Sequence, residues 1–208
     1  MSIALFSTAY FAPVQYFVHF RRSTNPMIES QEHYLKQTYR NRCIIATANG
    51  LMSLSLPIDK IVTEKANIRD IRISDHGNWQ HLHWNSIESA YNSSPFFEYY
   101  ADDIRPFFEM KPKFLFDFNE SIREKICEML DIPGKAEYSS EYMKEENIPA
   151  DWMDFRKIIH PKKSPTTVDP DFTAKPYYQV FNHKFGFQPN LSILDLIFNL
   201  GPESILYL

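Results

Sequence analysis

The chain has 208 residues and a formal net charge of −4, with both signs spread along it. That length suits one large domain and lets folding bury about 70% of the unfolded surface, so no disulfide or metal staple is required. The mild acidity argues against general nucleic-acid binding, which needs a basic footprint to neutralise phosphates.

The five glycines, Gly50, Gly77, Gly134, Gly186 and Gly201, stand far apart. A P-loop and a dinucleotide fingerprint both need clustered glycines, so both are excluded. A phosphate site here has to use side chains or a plain helix N-terminus. Cys43 and Cys127 are isolated, which argues against a disulfide framework or a zinc site and fits a reducing cytoplasm. No residue pattern names a cofactor or a metal.

In chain order, Ser2 to Tyr10 reads as a strand buried on both faces, because its apolar residues run without interruption. The stretch IALFSTAYFAPVQYFVHF mimics a signal peptide, but Arg21 and Arg22 follow the run instead of preceding it, and Pro13, Gln15 and His19 interrupt it. It therefore predicts a strand, a turn at Pro13 and a helix over Val14 to Arg21, with no membrane span. Met27 to Glu29 reads as a second, short strand. Residues 31 to 42 fit neither period. Cys43 to Ala48 and Leu51 to Leu56 form a hairpin, with Asn49-Gly50 as a type I′ turn. Met52, Leu54 and Leu56 alternate with Ser53 and Ser55, which predicts one buried face.

Ile68 to Ser74 is expected as a strand. Asn78 is expected to cap a helix whose stripe is Trp79, Leu82, Trp84, Ile87 and Tyr91. Phe96 to Phe108 reads as helical, and Asn119 as the cap of a helix with Ile122, Ile126, Met129 and Leu130 on one face, stopped by Pro133-Gly134. Residues 135 to 176 are polar and proline-rich and read as a long irregular segment, with HPKKSP at 160 to 165 as its basic spot. Tyr177 to Phe181 reads as a late strand, and PNLSILDLIFNLGP as a closing helix that ends near Gly201. The whole predicts an α/β domain over residues 1 to 208, with a mixed β-sheet, flanking helices and a largely helical C-terminal half. An α+β arrangement is the alternative.

Three groups of residues could carry chemistry. In YLKQTYRNR, a helix over 34 to 42 would put Lys36 and Arg40 on one face, with Arg42 at the hairpin entry. Arginine suits a two-pronged grip on phosphate or carboxylate; a solvated charged face is the alternative. In the closing helix, Ser192, Asp195 and Asn199 make a narrow polar stripe on an otherwise apolar surface. A buried Asp195 needs a partner or a proton, and Arg40 or Arg42 could serve as that partner; a stripe that simply faces water is the equal alternative. His81 and His83 lie roughly 200° apart on a helix and cannot chelate one metal from one face. A single histidine remains a candidate general base.

Four blocks, in order, resemble the WbqC-like family of bacterial proteins: AYFAPVQYF, YLKQTYRNRCIIATANGLMSLSLPI, IRDIRISDHGNWQHLHWNSIESAYNSSPFFEYY and YYQVFNHKFGFQPNLSILDLIFNLGP. Tyr10-Phe11-Ala12-Pro13 keeps the family's aromatic turn, while Thr8-Ala9 replaces a common Gln-Pro and Gln15 a common Gly. Lys36, Asn41-Arg42, Trp79, His83, Tyr91, Pro95-Phe96-Phe97, Tyr100 and Leu191 to Asn199 stand on matching positions. The resemblance implies a cytoplasmic protein linked to O-antigen and other surface-polysaccharide biosynthesis, with a transferase role on an activated sugar. On that reading Tyr10, Lys36, Arg40, Asn41, Arg42 and Asn199 bind a small anionic substrate such as a nucleotide sugar, and His83 or Asp195 handles a proton. A non-catalytic binding or scaffolding protein of a biosynthetic complex is the rival expectation.

Overall fold

A computed structural model describes residues 3–60, 65–163 and 168–208. Its main sheet is built on β1 (Ile3–Ser7), whose Ala4, Leu5 and Phe6 are fully buried. β1 is parallel to β2 (Asn25–Glu29) on one side, with Ile3 opposite Asn25 and Ser7 opposite Glu29. Between them runs α1 (Val14–Arg22), buried from Val14 to Phe20. β1 is shorter than Ser2 to Tyr10 because the chain turns at Phe11, which holds φ 38. That is an unusual conformation for a bulky residue. The Ser192 hydroxyl anchors it by donating to the Phe11 carbonyl at 2.9 Å.

The parallel and antiparallel strand pairs occupy two sheets, which corrects the expectation of one mixed sheet within the α/β class. The antiparallel pair is β3 (Arg42–Thr47) with β4 (Gly50–Ser55). Its turn also differs from the expected type I′. Thr47 pairs with Gly50, so Ala48 and Asn49 are the central residues, and only Gly50 has positive φ, at 104°. One glycine after an ordinary turn joins the strands as well as two positive-φ residues would. Cys43 and Ile45 are fully buried, whereas Leu51 and Met52 near the tip are exposed.

Ile68 to Ser74 is not a strand. Ile68–Asp70 is a 3-10 turn, capped by the Asn67 side chain, and two isolated bridges follow, Ile58 with Ile73 and Arg72 with Phe114. Ile68, Ile71 and Ile73 are nonetheless buried, which is why they imitated a strand. α2 (Trp79–Tyr91) buries Trp79, His83, Ile87, Ala90 and Tyr91, so His83 takes the place expected of Leu82, which is exposed. Asn78 precedes it in a left-handed conformation and makes no side-chain cap bond. α3 (Phe97–Ile104) runs into a 3-10 turn, Arg105–Phe108. α4 (Leu115–Met129) starts before Asn119, which is therefore an interior residue and not its cap.

The segment 135 to 176 is less irregular than its composition predicted. It supplies β5 (Glu137–Tyr138) and β6 (Met153–Asp154), which complete a parallel sheet of order β5-β2-β1-β6. Residues 177 to 181 form no strand. α5 (Asn182–Phe185) and α6 (Ile193–Leu200) follow, and a 3-10 segment, Gly201–Tyr207, ends the described chain. Gly201 is required where it stands: its φ is 55°, and a Cβ there would lie 2.5 Å from the Phe96 ring. One apolar core joins both sheets, with Phe6, Tyr16, Phe20 and Phe155 clustered over β1. Among the described residues no helix is long and apolar enough to cross a membrane.

Candidate functional site

Ligands of open parallel sheets bind outside the carboxyl ends of the strands. Here those ends gather Ser7 and Thr8 after β1, Glu29 to Glu32 at β2, Ser139 after β5, and Asp154 and Arg156 at β6. Three buried arginines hold this edge together. Arg40 grips Glu32 through Nε at 2.8 Å and through a second nitrogen, and also donates to Ser7 Oγ at 2.7 Å. Arg123 pairs with Glu120 at 2.8 Å, and Glu120 also accepts from Thr8. Arg156 pairs with Asp154 at 2.8 Å and Glu29 at 3.2 Å. Burial pushes Glu32 above the ordinary carboxylate range, and Arg40 beside it pulls it back. Each of these arginines has its charge matched by carboxylate, which is what burial of a charge demands.

The loop at 34 to 42 is irregular, not helical, and turns at Gln37 with φ 60. As a result Lys36 and Arg40 do not share a face: Arg40 points inward and Lys36 stays exposed. Lys36 and Arg42 do converge. With Tyr34, Gln37, Asn41, Ile58, Asp59 and Lys60 they line a cleft of about 550 Å³. Asn41 is fixed at its base, with Nδ2 donating to the Leu56 carbonyl at 3.0 Å and its own carbonyl accepting from Leu56 N at 2.8 Å. Asn119 steadies the preceding residue by donating to the Arg40 carbonyl at 2.8 Å. Arg42 Nε and Asn41 Oδ1 are both buried without a hydrogen-bond partner among the described residues. A buried donor and a buried acceptor left open cost stability, on the order of 1–3 kcal/mol each, unless a guest engages them.

The basic spot in the long segment reaches the same place. Lys162 Nζ donates to Gln37 Oε1, which ties residues 156 to 163 to the cleft loop. His160 has its pKa lowered, first by burial and then by the positive charges of Lys163, Lys162, Arg40 and Arg42. Lys60 and Lys162 were not legible as site residues. HPKKSP stood out as basic, but nothing in the sequence joined it to Gln37.

The remaining candidates lie behind the cleft. The Tyr10 hydroxyl meets His83 Nδ1 at 2.9 Å, both buried. Desolvation lowers His83 to about 4, with a backbone hydrogen bond to Ser55 opposing it. Ser55 is the strand partner of Arg42, so His83 abuts the hairpin end that carries the cleft. Asp195 accepts from Tyr177 Oη at 2.7 Å and Gln179 Nε2 at 2.8 Å. Its partners are therefore neutral groups, and neither Arg40 nor Arg42. Burial raises its pKa to about 6 against those hydrogen bonds. The Asn199 amide donates to the Asp195 carbonyl at 2.7 Å. Neither His83, Tyr10, Asp195 nor Asn199 lines the cleft. Among the described residues no group of three or more His, Cys, Asp and Glu could hold a metal ion.

The fold and this cleft define an α/β protein with a cation-lined surface site beside a parallel sheet. The model of the WbqC-like protein family matches residues 8–162, and the chain belongs to that family. It is also 28% identical over 205 residues to an uncharacterized protein of Mycobacterium tuberculosis, covering 88% of this chain and 86% of that one. No solved structure gives a significant match.

Proposed function

We propose that this protein binds an anionic small molecule in the cleft at Lys36, Asn41, Arg42 and Lys60, and that it is a transferase acting on an activated sugar in surface-polysaccharide biosynthesis. The observation that carries the binding half is the open pair at its base, Arg42 Nε and Asn41 Oδ1, beneath a concentration of positive charge. A phosphate or carboxylate oxygen would satisfy Arg42, and a neighbouring hydroxyl would donate to Asn41. A nucleotide sugar offers both. The transferase half rests on family membership and on the resemblance of the four blocks. In this reading His83 and Asp195 support the hairpin that presents Asn41 and Arg42, and Tyr10 holds His83.

The test is a thermal-shift panel of nucleotide sugars, acyl-CoA thioesters, nucleoside triphosphates with magnesium, and inorganic phosphate. A ligand at 100 times its Kd stabilises by about 2.7 kcal/mol, which at this size shifts the melt by several degrees. One class is expected to shift the wild type and to leave Arg42→Ala unmoved. A shift of equal size in Arg42→Ala would remove the cleft from the reading.

A further inference from the structure

We infer that the carboxyl end of β1 is a second, buried binding chamber for an uncharged, hydroxyl-bearing guest, roofed by residues 157 to 163, which lift to admit it. Four observations carry this.

The first is position. β1 is an inner strand of a parallel sheet, and its carboxyl end opens on a void of about 20 Å³ lined by Ser7, Thr8, Tyr16, Arg40, Arg156 and Ile159. That space admits about one water molecule, so any larger guest needs the roof to move.

The second is an orphan. The Tyr16 side chain lines the void and is 2% exposed, and its hydroxyl has no hydrogen-bond partner among the described residues. Four polar residues of the same lining are engaged: Ser7 with Glu32 and Arg40, Thr8 with Glu120, and Arg156 with Asp154 and Glu29. A buried hydroxyl left alone among satisfied groups marks the place of an absent partner.

The third is charge, which separates the chamber from the outer cleft. Arg40 and Arg156 at the chamber are neutralised by Glu32, Glu29 and Asp154. An anion there would displace a carboxylate or leave a charge uncompensated, whereas a neutral hydroxyl needs neither. Among the described residues that line it, the outer cleft instead sets Lys36, Arg42 and Lys60 against the carboxylate of Asp59.

The fourth is the roof. Phe155 is held firmly, stacked on Phe6 at 5.1 Å and on His19 at 4.1 Å. Arg156 is anchored next to it by Asp154, Glu29 and the Met143 carbonyl, and beyond Arg156 the side-chain ties of residues 157 to 163 are exposed lysines: Lys157 with Glu145, Lys163 with the Lys157 carbonyl, and Lys162 with Gln37. Exposed ties of this kind add little stability. The Lys162 tie runs to a residue of the outer cleft, so lifting the roof breaks a contact with the anion loop. Calling the guest the acceptor of a transferase rests on the proposed function; the chamber and its neutral guest do not.

The test is thiol labelling of the Ala9→Cys variant with iodoacetamide, a small uncharged reagent. Ala9 lines the chamber, and the native Cys43 and Cys127 lie in the core and report global opening. Local opening makes the introduced thiol react at least about tenfold faster than either native cysteine, because segmental openings cost less than global unfolding. Adding Ile159→Ala speeds the introduced thiol further and leaves Cys43 and Cys127 unchanged. Glucose, galactose or N-acetylglucosamine at high millimolar concentration slows its labelling, inorganic phosphate does not, and Tyr16→Phe removes the protection. An introduced thiol as silent as Cys43, or one that no neutral sugar slows, overturns the chamber; slowing by phosphate alone overturns the neutral guest. Hydrogen exchange on the unmodified protein checks the same point without a substitution: the neutral sugar that protects the introduced thiol slows exchange across 157 to 163, and no change there overturns the roof. Arg42→Ala separates the two readings, since it abolishes the anion-dependent melting shift and leaves protection by neutral sugar at position 9 intact.

Discussion

Arg40 and Arg42 stand two residues apart in one loop and face opposite environments. Arg40 is 4% exposed, with Glu32 and Ser7 around its guanidinium. Arg42 borders an open cleft, with its Nε unpartnered among the described residues. The difference teaches that a cationic stretch is not a unit of function. The intervening Asn41 pairs with Leu56 at the start of the hairpin, and side chains on either side of it part toward the core and toward the cleft. What each arginine does follows from which carboxylates the fold brings near it.

The sharpest break of that comparison is Arg40→Ala. It leaves Glu32 buried and unpaired, and removing one partner of a buried ion pair costs about 3–5 kcal/mol. The melt should fall by roughly 6 to 20 °C. A fall of under about a degree, read by calorimetry, would mean that Arg40 is free for ligand after all.

Buried His83 and Asp195 make the next largest difference, through pH. His83 has its pKa depressed from 6.5 to about 4, so its contribution is present above pH 6.5 and is lost as pH falls toward 4. Asp195 has its pKa raised from 3.8 to about 6, so its contribution is present below pH 3.8 and is lost as pH rises through 6. Each is worth on the order of 3 kcal/mol, and between about pH 4 and 6 they oppose each other. Asp195→Asn should therefore steepen the rise of stability from about pH 4 to 6.5. Urea titrations across that range check this, and an unchanged profile would put the buried carboxylate elsewhere.

Arg42→Ala should cost no more than about 0.5 kcal/mol, and raises stability to the extent that it removes a buried donor without a partner, while removing the ligand-induced shift. Were its cost to approach that of Arg40→Ala, the two arginines would be alike and the cleft would be structural. The smallest effect is expected from Lys60→Ala, an exposed charge at the cleft rim: a few-fold loss of affinity that vanishes at high salt, measured by calorimetric titration.

Some of this was legible in the sequence. The unbroken apolar run of β1, the α1 that follows Pro13, the hairpin around Gly50 and the end of α6 at Gly201 all appear in place, because each is decided by local period, proline or glycine. Spacing alone paired Lys36 with Arg40, which the fold separates; only the family resemblance grouped Lys36 with Asn41 and Arg42, which line one cleft. Ile68 to Ser74 misled because three buried isoleucines satisfy a strand pattern in a segment that makes only isolated bridges. The burial of His83, a candidate already, was missed for the opposite reason: a polar residue on the buried stripe of α2 looks misplaced until Tyr10 is seen beside it.

By itself the sequence determined the α/β class, the exclusion of glycine-rich phosphate loops and the family, since these depend on neighbours along the chain and on blocks in order. Only the tertiary structure decided that Arg40 is sealed by Glu32, that Asp195 is met by Tyr177 and Gln179, and that Lys162 closes on Gln37, 125 residues away. Those pairings join distant positions, and burial, which sets the worth of every charge, exists only once the chain has folded.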